Sequence, residues 1–249
     1  MKRLILQVNV KLDDFKGFSR FKPIEEIYQM SEQQARLFAK KWEVDYHQVT
    51  DCDYLPTKGP WFQRFKMYEM MDYDEILYLD MDAIILPDCP NVFDTLSGHT
   101  LSAVRSSPWD EKRKKTGDSY DELRAFHNEV LGAKDDFRPF CSGVMLVTKD
   151  FLTQTKDIWR DYLDSFEKKS NGRPCLDEAV FNKLVIEAFD GKYNELNEDW
   201  GPWYRGGKYI EHVGGPFKNF FNVEKFKEKN FPEDIPDPFA QFAATKVEV

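Results

Sequence analysis

The sequence predicts an α/β fold in which a mostly parallel central sheet is flanked by helices. Apolar runs typical of buried strands alternate with segments whose apolar residues recur at helical spacing through the first two thirds of the chain. A chain of 249 residues, 41% of them hydrophobic, is long enough to bury a substantial core. The sequence shows no internal repeat, which excludes solenoids and propellers.

The charge and the apolar runs of the sequence limit the kinds of partner that the protein can bind. The chain carries 35 Lys and Arg against 44 Asp and Glu, a net charge of -9. A general nucleic-acid binder needs a basic face, so we expect no nucleic-acid partner. No apolar run reaches the ~20 residues of a membrane span, and the apolar run at the amino terminus is too short for a signal peptide. We therefore expect a soluble, cytoplasmic protein without an integral membrane segment.

The elements of the first half follow from their apolar patterns. Residues 4–10 predict a strand, residues 23–41 a helix, residues 44–49 a second strand, and the spacing of Trp61, Phe65 and Tyr68 a further helix. Residues 75–79 form a nearly continuous apolar run, as expected for a strand buried on both faces. A second apolar run at 83–86 is stopped by Pro87.

The second half is less regular. Residues 106–138 are dense in charge and predict a helical excursion or lid outside the sheet, or simply a solvated surface insertion. The later pattern predicts a strand over 144–148, a long helix over 151–166, a helix from near Asp177 and a short strand over 208–211. We interpret residues 1–230 as a single domain and the proline-rich 231–249 as a carboxyl-terminal tail.

A pair of carboxylates follows the most apolar strand. Asp80 and Asp82 flank Met81, and residues two apart in an extended chain point to the same side. Such a pair needs a compensating cation, and oxygen ligands favour Mg²⁺ or Mn²⁺, which typically hold a substrate diphosphate. Ligands of open α/β sheets bind at the carboxyl ends of strands, where this pair falls. An ordinary acidic turn explains the isolated motif equally well.

A second polar feature lies late in the chain. His212, Gly215 and Lys218 follow a short predicted strand across a glycine-rich turn. Glycine allows close approach of the backbone to a ligand, an imidazole can join two carboxylates around Mn²⁺, and an ammonium group can meet a phosphate. Taken alone, a histidine such as His212 is more often an ordinary loop histidine.

Five sequence elements occur in a characteristic order between Arg64 and Lys218. They are a basic residue on a helix (Arg64), an apolar strand running into DxD (78–82), the string FCSGV (140–144), the helix start DEAVFN (177–182) and HxxGxxK (212–218). Together they resemble the GT-A glycosyltransferases, most closely family 8, the group that includes glycogenin and bacterial galactosyltransferases. The agreement in order is far more specific than any single motif.

The resemblance implies a Rossmann-like nucleotide-sugar-binding domain. Asp80, Asp82 and His212 would hold Mn²⁺ (or Mg²⁺) on the donor diphosphate, with Met81 and Gly215 in the donor site. Arg64 and Lys218 would neutralise the leaving nucleotide, which agrees with the charge that develops there. The implied reaction is transfer of a hexose-type sugar from a nucleotide-sugar donor, a UDP-sugar by resemblance alone, to a hydroxyl of a glycan or other acceptor, with retention.

Two residues depart from the family pattern. Cys141 stands where the family usually has Asn, which removes a sugar-contacting amide. Glu178 stands where it usually has Gln, beside the expected anomeric carbon. We interpret Glu178 as an electrostatic stabiliser and Asp177 as a contact to sugar or acceptor hydroxyls. Glu178 could instead act as a nucleophile, which also retains configuration, or as a base, which inverts it.

Two other functions share parts of the pattern. Haloacid dehalogenase-type phosphatases also end an apolar strand in DxD, with the first Asp as nucleophile. Their motif usually follows the first strand and is followed by a Thr, whereas two predicted strands precede it here and Ile84 stands at the Thr position. An inactive sugar-binding module on the same fold is the other alternative, although Asp80, Asp82, His212 and Lys218 are all present.

Overall fold

The computed structural model of the chain describes residues 1–10, 25–54, 60–105, 139–170, 176–201, 206–213 and 221–231. Its centre is a six-stranded sheet with the strand order β2-β1-β3-β6-β5-β7. These strands are β1 (Arg3–Val8), β2 (Asp45–Val49), β3 (Glu75–Asp80), β5 (Leu101–Arg105), β6 (Phe140–Thr148) and β7 (Asn194–Leu196). A separate two-stranded sheet pairs β4 (Ala83–Ile85) with β8 (Ile210–His212). The predicted α/β class is confirmed.

Strand β3 lies in the middle of a mostly parallel sheet. The strand β1 runs parallel to both β2 and β3, and β5 runs parallel to β7. Only β6, among these six strands, runs in the opposite direction, between β3 and β5. Asp80 is therefore at the carboxyl end of a central strand, as the sequence predicts, and this end is the usual ligand-binding edge of such sheets.

Helices cover the sheet. The α-helices are α1 (Glu25–Trp42), α2 (Val92–Thr95), α3 (Lys149–Thr155), α4 (Trp159–Ser170), α5 (Leu176–Phe189) and α6 (Val223–Asn230), and 3-10 helices span Pro60–Glu69 and Glu198–Trp200. No helix in the described part of the chain is long and apolar enough to cross a membrane.

Alternating side chains of the strands supply two apolar cores. Leu4 and Tyr78 face one core, which contains Phe65 of the first 3-10 helix and Phe181 of α5. The opposite face of the sheet carries a second core. Its members include Ile5, Leu77 and Leu79, which alternate along the strands with the residues of the first core, and Phe38 of α1. Because both faces are covered, the near-continuous apolar character of β3 is explained, with Ile76, Leu77, Tyr78 and Leu79 all buried.

Some sequence predictions differ from the structure. The single helix predicted over 151–166 is wrong, because α3 and α4 are separate helices. The backbone N–H of Ile158 bonds Thr155 O at 3.1 Å, a tight turn, and the Thr155 hydroxyl bonds Phe151 O and pairs with Tyr68. Strands β5 and β7 and helices α2 and α6 are not predicted from the sequence. The predicted insertion over 106–138 and tail residues 232–249 lie outside the described residues.

Candidate functional site

The two sheets meet at the DxD motif. Asp80 ends β3, Asp82 lies in the turn that follows, and Ala83 begins β4. Ala83 pairs with His212 in the antiparallel β4–β8 sheet, and the backbone N–H of Val213 bonds Asp82 O at 2.8 Å. The small sheet therefore carries His212 from far along the chain to the end of β3.

Three potential metal ligands converge there. His212 Nε2 lies 3.2 Å from Asp82 Oδ1 and 3.9 Å from Asp80 Oδ2. One ligand atom from each residue lies within 4.8 Å of the other two. The side chain of His212 is 1% exposed and that of Asp82 10%, whereas Asp80 is 27% exposed. The cluster thus opens to solvent on the side of Asp80.

The donor set fits a single hard or borderline divalent ion. An octahedral ion about 2.1 Å from its ligands separates neighbouring ligand atoms by about 3 Å. The separation of 3.2 Å is close to that value, and the separation of 3.9 Å needs a side-chain movement of about 1 Å to reach it. Two carboxylates and one imidazole suit Mn²⁺ or Mg²⁺ with its remaining positions open. The site is therefore chemically suited to a metal that also holds a second ligand.

Gly143 makes room for this cluster. A Cβ atom at Gly143 would lie 2.3 Å from His212 Cε1 and 2.8 Å from Asp80 Oδ2. The pairing of β6 with β5 is irregular beside this position: Ala103 of β5 pairs with Met145, but Arg105 pairs with Phe140. The β6 residues 141–144 therefore include extra residues opposite Val104, a bulge of the kind often found beside active sites.

Arg64 forms a buried ion-pair network beside the cluster of Asp80, Asp82 and His212. Its Nη2 donates to Asp80 Oδ1 at 2.9 Å, and its Nη1 lies 3.0 Å from Asp177 Oδ2. Nη1 also donates to Ser142 Oγ at 2.6 Å and to Ser142 O at 3.0 Å. Burial alone would lower the pKa of Arg64, but the carboxylates of Asp177 and Asp80 raise it. The guanidinium is a permanent cation engaged by the chain itself.

Tyr78 also contacts Asp80. Its hydroxyl donates to Asp80 Oδ1 at 2.7 Å, and the guanidinium carbon of Arg64 lies 4.8 Å from the centroid of its ring. Burial raises the pKa of Tyr78 well above its usual value, so the phenol stays protonated and remains a donor. Two donors therefore converge on one oxygen of Asp80.

A second carboxylate pair begins helix α5. Asp177 and Glu178 lie in its first turn, where the helix dipole favours negative charge. Asn182 of the same helix bonds both the N–H and the C=O of Phe140, each at 3.0 Å. This contact fixes α5 against β6 and places the carboxylate pair beside the bulge.

The two carboxyls of α5 differ in environment. Burial raises the pKa of Asp177 from its ordinary value, and Arg64 opposes that shift. Burial, followed by the charge of Asp177, raises the pKa of Glu178 to about 8, although the backbone N–H of Ser142 opposes the shift. Cys141, which is buried nearby, has its thiol pKa raised well above the usual value by burial. The surroundings of Asp177, Glu178 and Cys141 therefore disfavour further negative charge.

The structure brings most of the sequence-predicted residues into one region. Asp80, Asp82 and His212 meet, and Arg64 links Asp80 to Asp177. The side chain of Met81 is buried and its sulfur accepts a hydrogen bond from Gln48. Gly215 and Lys218 lie outside the described residues.

Sequence reasoning missed three members of the site: Tyr78, Ser142 and Gly143. Tyr78 is part of the apolar run of β3, so its pattern indicates only a core residue. Ser142 and Gly143 belong to the string FCSGV, which the family resemblance singles out without assigning them a contact. A buried hydroxyl two residues before a DxD aspartate is the one local signal that could have found Tyr78.

Solved glycosyltransferase structures share this architecture. A glycosyltransferase involved in the glycosylation of the major capsid of PBCV-1 superposes with a TM-score of 0.53 at 15% identity, covering 88% of this chain and 96% of that one. The galactosyltransferase LgtC, solved in complex with donor and acceptor sugar analogs, superposes with a TM-score of 0.52 at 12% identity, covering 99% and 97%.

The likeness establishes the fold, which is the GT-A fold of glycosyltransferases. No family model and no curated protein matches the sequence itself. A fold does not by itself define a function, which depends on the residues of the site.

Proposed function

We propose that the chain is a metal-dependent glycosyltransferase. It moves a hexose-type sugar from a nucleotide-sugar donor, a UDP-sugar, to a hydroxyl of a glycan or other acceptor, with retention of configuration. The observation that carries this proposal is the convergence of Asp80, Asp82 and His212 at the carboxyl end of β3 on a GT-A fold.

Asp80, Asp82 and His212 would hold Mn²⁺ or Mg²⁺ against the donor diphosphate. The ion supplies Lewis-acid stabilisation of the negative charge that the diphosphate gains. The exposure of Asp80, compared with the burial of His212, leaves the open side of the cluster toward the donor. Met81, which lies between the two aspartates, belongs to the same donor-binding turn.

The reaction exchanges one C–O bond for another. The bond between the anomeric carbon and the diphosphate oxygen breaks, and the acceptor oxygen forms the new bond to that carbon. The acceptor proton passes to the departing diphosphate, so atoms and charge balance. Arg64 is proposed to act next to the proposed metal site, where its positive charge, although shared with Asp80 and Asp177, favours the departing anion. Lys218, with Gly215 in the same late motif, is proposed to neutralise the leaving nucleotide.

Asp177 and Glu178 complete the sugar side of the site in this proposal. Asp177, paired with Arg64, is suited to accept hydrogen bonds from hydroxyls of the sugar or acceptor. Glu178, whose carboxyl favours the protonated form at neutral pH, would act beside the anomeric carbon as an electrostatic group. A neutral carboxyl resembles the amide that the family resemblance places at this position.

The test is a screen of nucleotide sugars with Mn²⁺, in which release of free nucleotide is measured. We expect release from one class of donor, its loss with EDTA, and a loss of at least about 100-fold in Asp82→Ala, because a metal ligand is removed. Calorimetric titration of Mn²⁺ should lose its signal in the same variant. An Asp82→Ala protein with unchanged Mn²⁺ binding contradicts the metal assignment.

The same preparations distinguish the alternatives. Hydrolysis of simple phosphate monoesters with an aspartyl-phosphate intermediate, abolished by Asp80→Asn, would establish the phosphatase function that the GT-A fold does not favour. Binding of nucleotide sugars without release or transfer would establish an inactive sugar-binding module. NMR of the first-formed glycoside determines whether configuration is retained, and inversion would overturn that part of the proposal.

A further inference from the structure

We propose that Tyr78 is a positioning residue that determines which oxygen of Asp80 faces the metal ion. The inference rests on the proposed function, because it requires the metal site at Asp80, Asp82 and His212. It concerns a residue that supplies no metal ligand and that the apolar pattern of β3 presents only as a core side chain.

The geometry divides the two oxygens of Asp80. Oδ1 accepts from the Tyr78 hydroxyl at 2.7 Å and from Arg64 Nη2 at 2.9 Å. Oδ2 is the oxygen that faces the metal cluster, 3.9 Å from His212 Nε2. Two charge-assisted bonds on Oδ1 hold the carboxylate plane and leave Oδ2 as the single oxygen directed at the ion.

Tyr78 itself is rigidly held. Its side chain is 1% exposed and belongs to the apolar core on one face of the sheet. Residues 78 and 80 lie two apart in β3, so their side chains point to the same face. Arg64 covers the ring at 4.8 Å. The hydroxyl therefore has little freedom to leave Asp80, which is the property required of a group that orients a metal ligand.

Removing the hydroxyl should weaken metal binding without removing a ligand. In Tyr78→Phe the ring still fills the core, but Oδ1 keeps only the bond from Arg64 and the carboxylate can rotate. Loss of an outer-shell partner typically lowers metal affinity by 10–100-fold. We expect the affinity for Mn²⁺ to fall about 10-fold. The EPR spectrum of bound Mn²⁺ should also change, because the orientation of one ligand is no longer fixed.

A matched control is available in Tyr68→Phe. Tyr68 is also buried, and its hydroxyl bonds Thr155 Oγ1 at 2.8 Å, a neighbour outside the carboxylate cluster. This variant loses a buried hydroxyl of the same kind, so it reports any general effect of that loss. We expect its Mn²⁺ affinity and EPR spectrum to match those of the wild-type protein.

The experiment titrates Mn²⁺ alone into the full chain, following free Mn²⁺ by EPR, for wild type, Tyr78→Phe, Tyr68→Phe and Asp82→Ala. The proposal is supported if the Mn²⁺ affinity falls fivefold or more in Tyr78→Phe but not in Tyr68→Phe, and if the EPR spectrum of bound Mn²⁺ changes in Tyr78→Phe. A smaller fall, an unchanged spectrum, or an equal fall in Tyr68→Phe overturns it. Undiminished binding in Asp82→Ala overturns the metal site and the proposed function instead.

Discussion

The two oxygens of Asp80 face two regions that differ in how they compensate charge. On one side lies the Arg64 network, which we define as Arg64, Tyr78, Ser142 and Asp177. On the other lies the metal cluster of Asp80, Asp82 and His212. In the Arg64 network a buried guanidinium sits 2.9 to 3.0 Å from two carboxylates, so the protein supplies its own cation. In the metal cluster an ion is proposed to supply the charge.

The difference between the Arg64 network and the metal cluster indicates how the site can hold its geometry and still have room to bind a ligand. A buried ion pair with its hydrogen bonds satisfied holds its geometry without any ligand. The metal cluster is held from outside by backbone pairing, by Gly143 and by the fixed oxygen of Asp80. Substitutions in the metal cluster should therefore mainly change metal affinity and turnover, whereas loss of Arg64 or of its partner Asp177 should mainly change the stability of the fold.

The largest effect is expected at Gly143, on the metal side. In Gly143→Ala the new methyl group would lie 2.3 Å from His212 and 2.8 Å from Asp80, distances that force both ligands to move. Displacement of catalytic groups by about 1 Å can reduce turnover about 100-fold. We expect a loss of nucleotide release of that size and a clear loss of Mn²⁺ affinity, measured by activity assay and calorimetry.

Gly98→Ala is the control for the generic effect of replacing glycine. Nothing lies within 4 Å of a Cβ at Gly98, but its φ of +88° strains any other residue. This variant should lose about 1 kcal/mol of stability and keep its Mn²⁺ affinity. If Gly143→Ala binds Mn²⁺ as tightly as Gly98→Ala does, the close packing of the metal cluster has no functional role.

The sequence predicts the central strand that carries Asp80 better than it predicts the side-chain contacts around Asp80. The apolar run of residues 75–79 and the carboxylates after it correctly predict a buried central strand with Asp80 at its end. The approach of His212 depends on the β4–β8 pairing, which no local pattern specifies; only the family resemblance suggests it. Short strands such as β7, which has three residues, bury too few side chains to leave a periodic signal.

Arg64 shows most clearly why contacts could not be predicted. Its place before the DxD motif suggests a cation free to meet a nucleotide, yet its guanidinium is bound to Asp80, Asp177 and Ser142. Two of these partners lie on β6 and α5, far along the chain, and the bulge that presents Ser142 is a property of strand register. Register and long-range ion pairs depend on tertiary packing, which one sequence does not display.

The next effect tests the Arg64 network. Arg64→Met should destabilise the fold by about 3–5 kcal/mol, because it leaves the buried carboxylate of Asp177 and the partly buried carboxylate of Asp80 without their cation. The double variant Arg64→Met/Asp177→Asn should be more stable than the single one, since one of those charges is gone. Urea unfolding without metal measures both. Arg36→Met, which breaks an exposed pair with Glu32, should cost about 1 kcal/mol or less.

Additive effects of Arg64→Met and Asp177→Asn would contradict this interpretation. Contacting residues in one ion-pair network normally show coupling energies of about 0.5–3 kcal/mol. A destabilisation by Arg64→Met no larger than that of Arg36→Met would mean that the network is not electrostatically important to the fold. Either outcome would contradict the claim that the Arg64 side of Asp80 stabilises the fold through its buried cation.

The smallest effect concerns Glu178, which stands next to the Arg64 network but is not neutralised by it. Burial and Asp177 raise its pKa from 4.5 to about 8, so the folded chain holds a proton there that the unfolded chain releases above pH 4.5. Between those two values the folded state binds more protons, and stability must fall as the pH rises. Above pH 8 both states are ionised and no further loss follows.

Glu178→Gln removes this titration while keeping the shape of the protonated side chain. Its stability should equal that of wild type near pH 4.5 and exceed it by about 1–2 kcal/mol at pH 8, a value reduced for the partial exposure of Glu178. Urea unfolding in EDTA at several pH values measures the difference. Parallel curves for wild type and Glu178→Gln would mean that Glu178 is ionised at neutral pH, and the proposed electrostatic role would then be that of an anion.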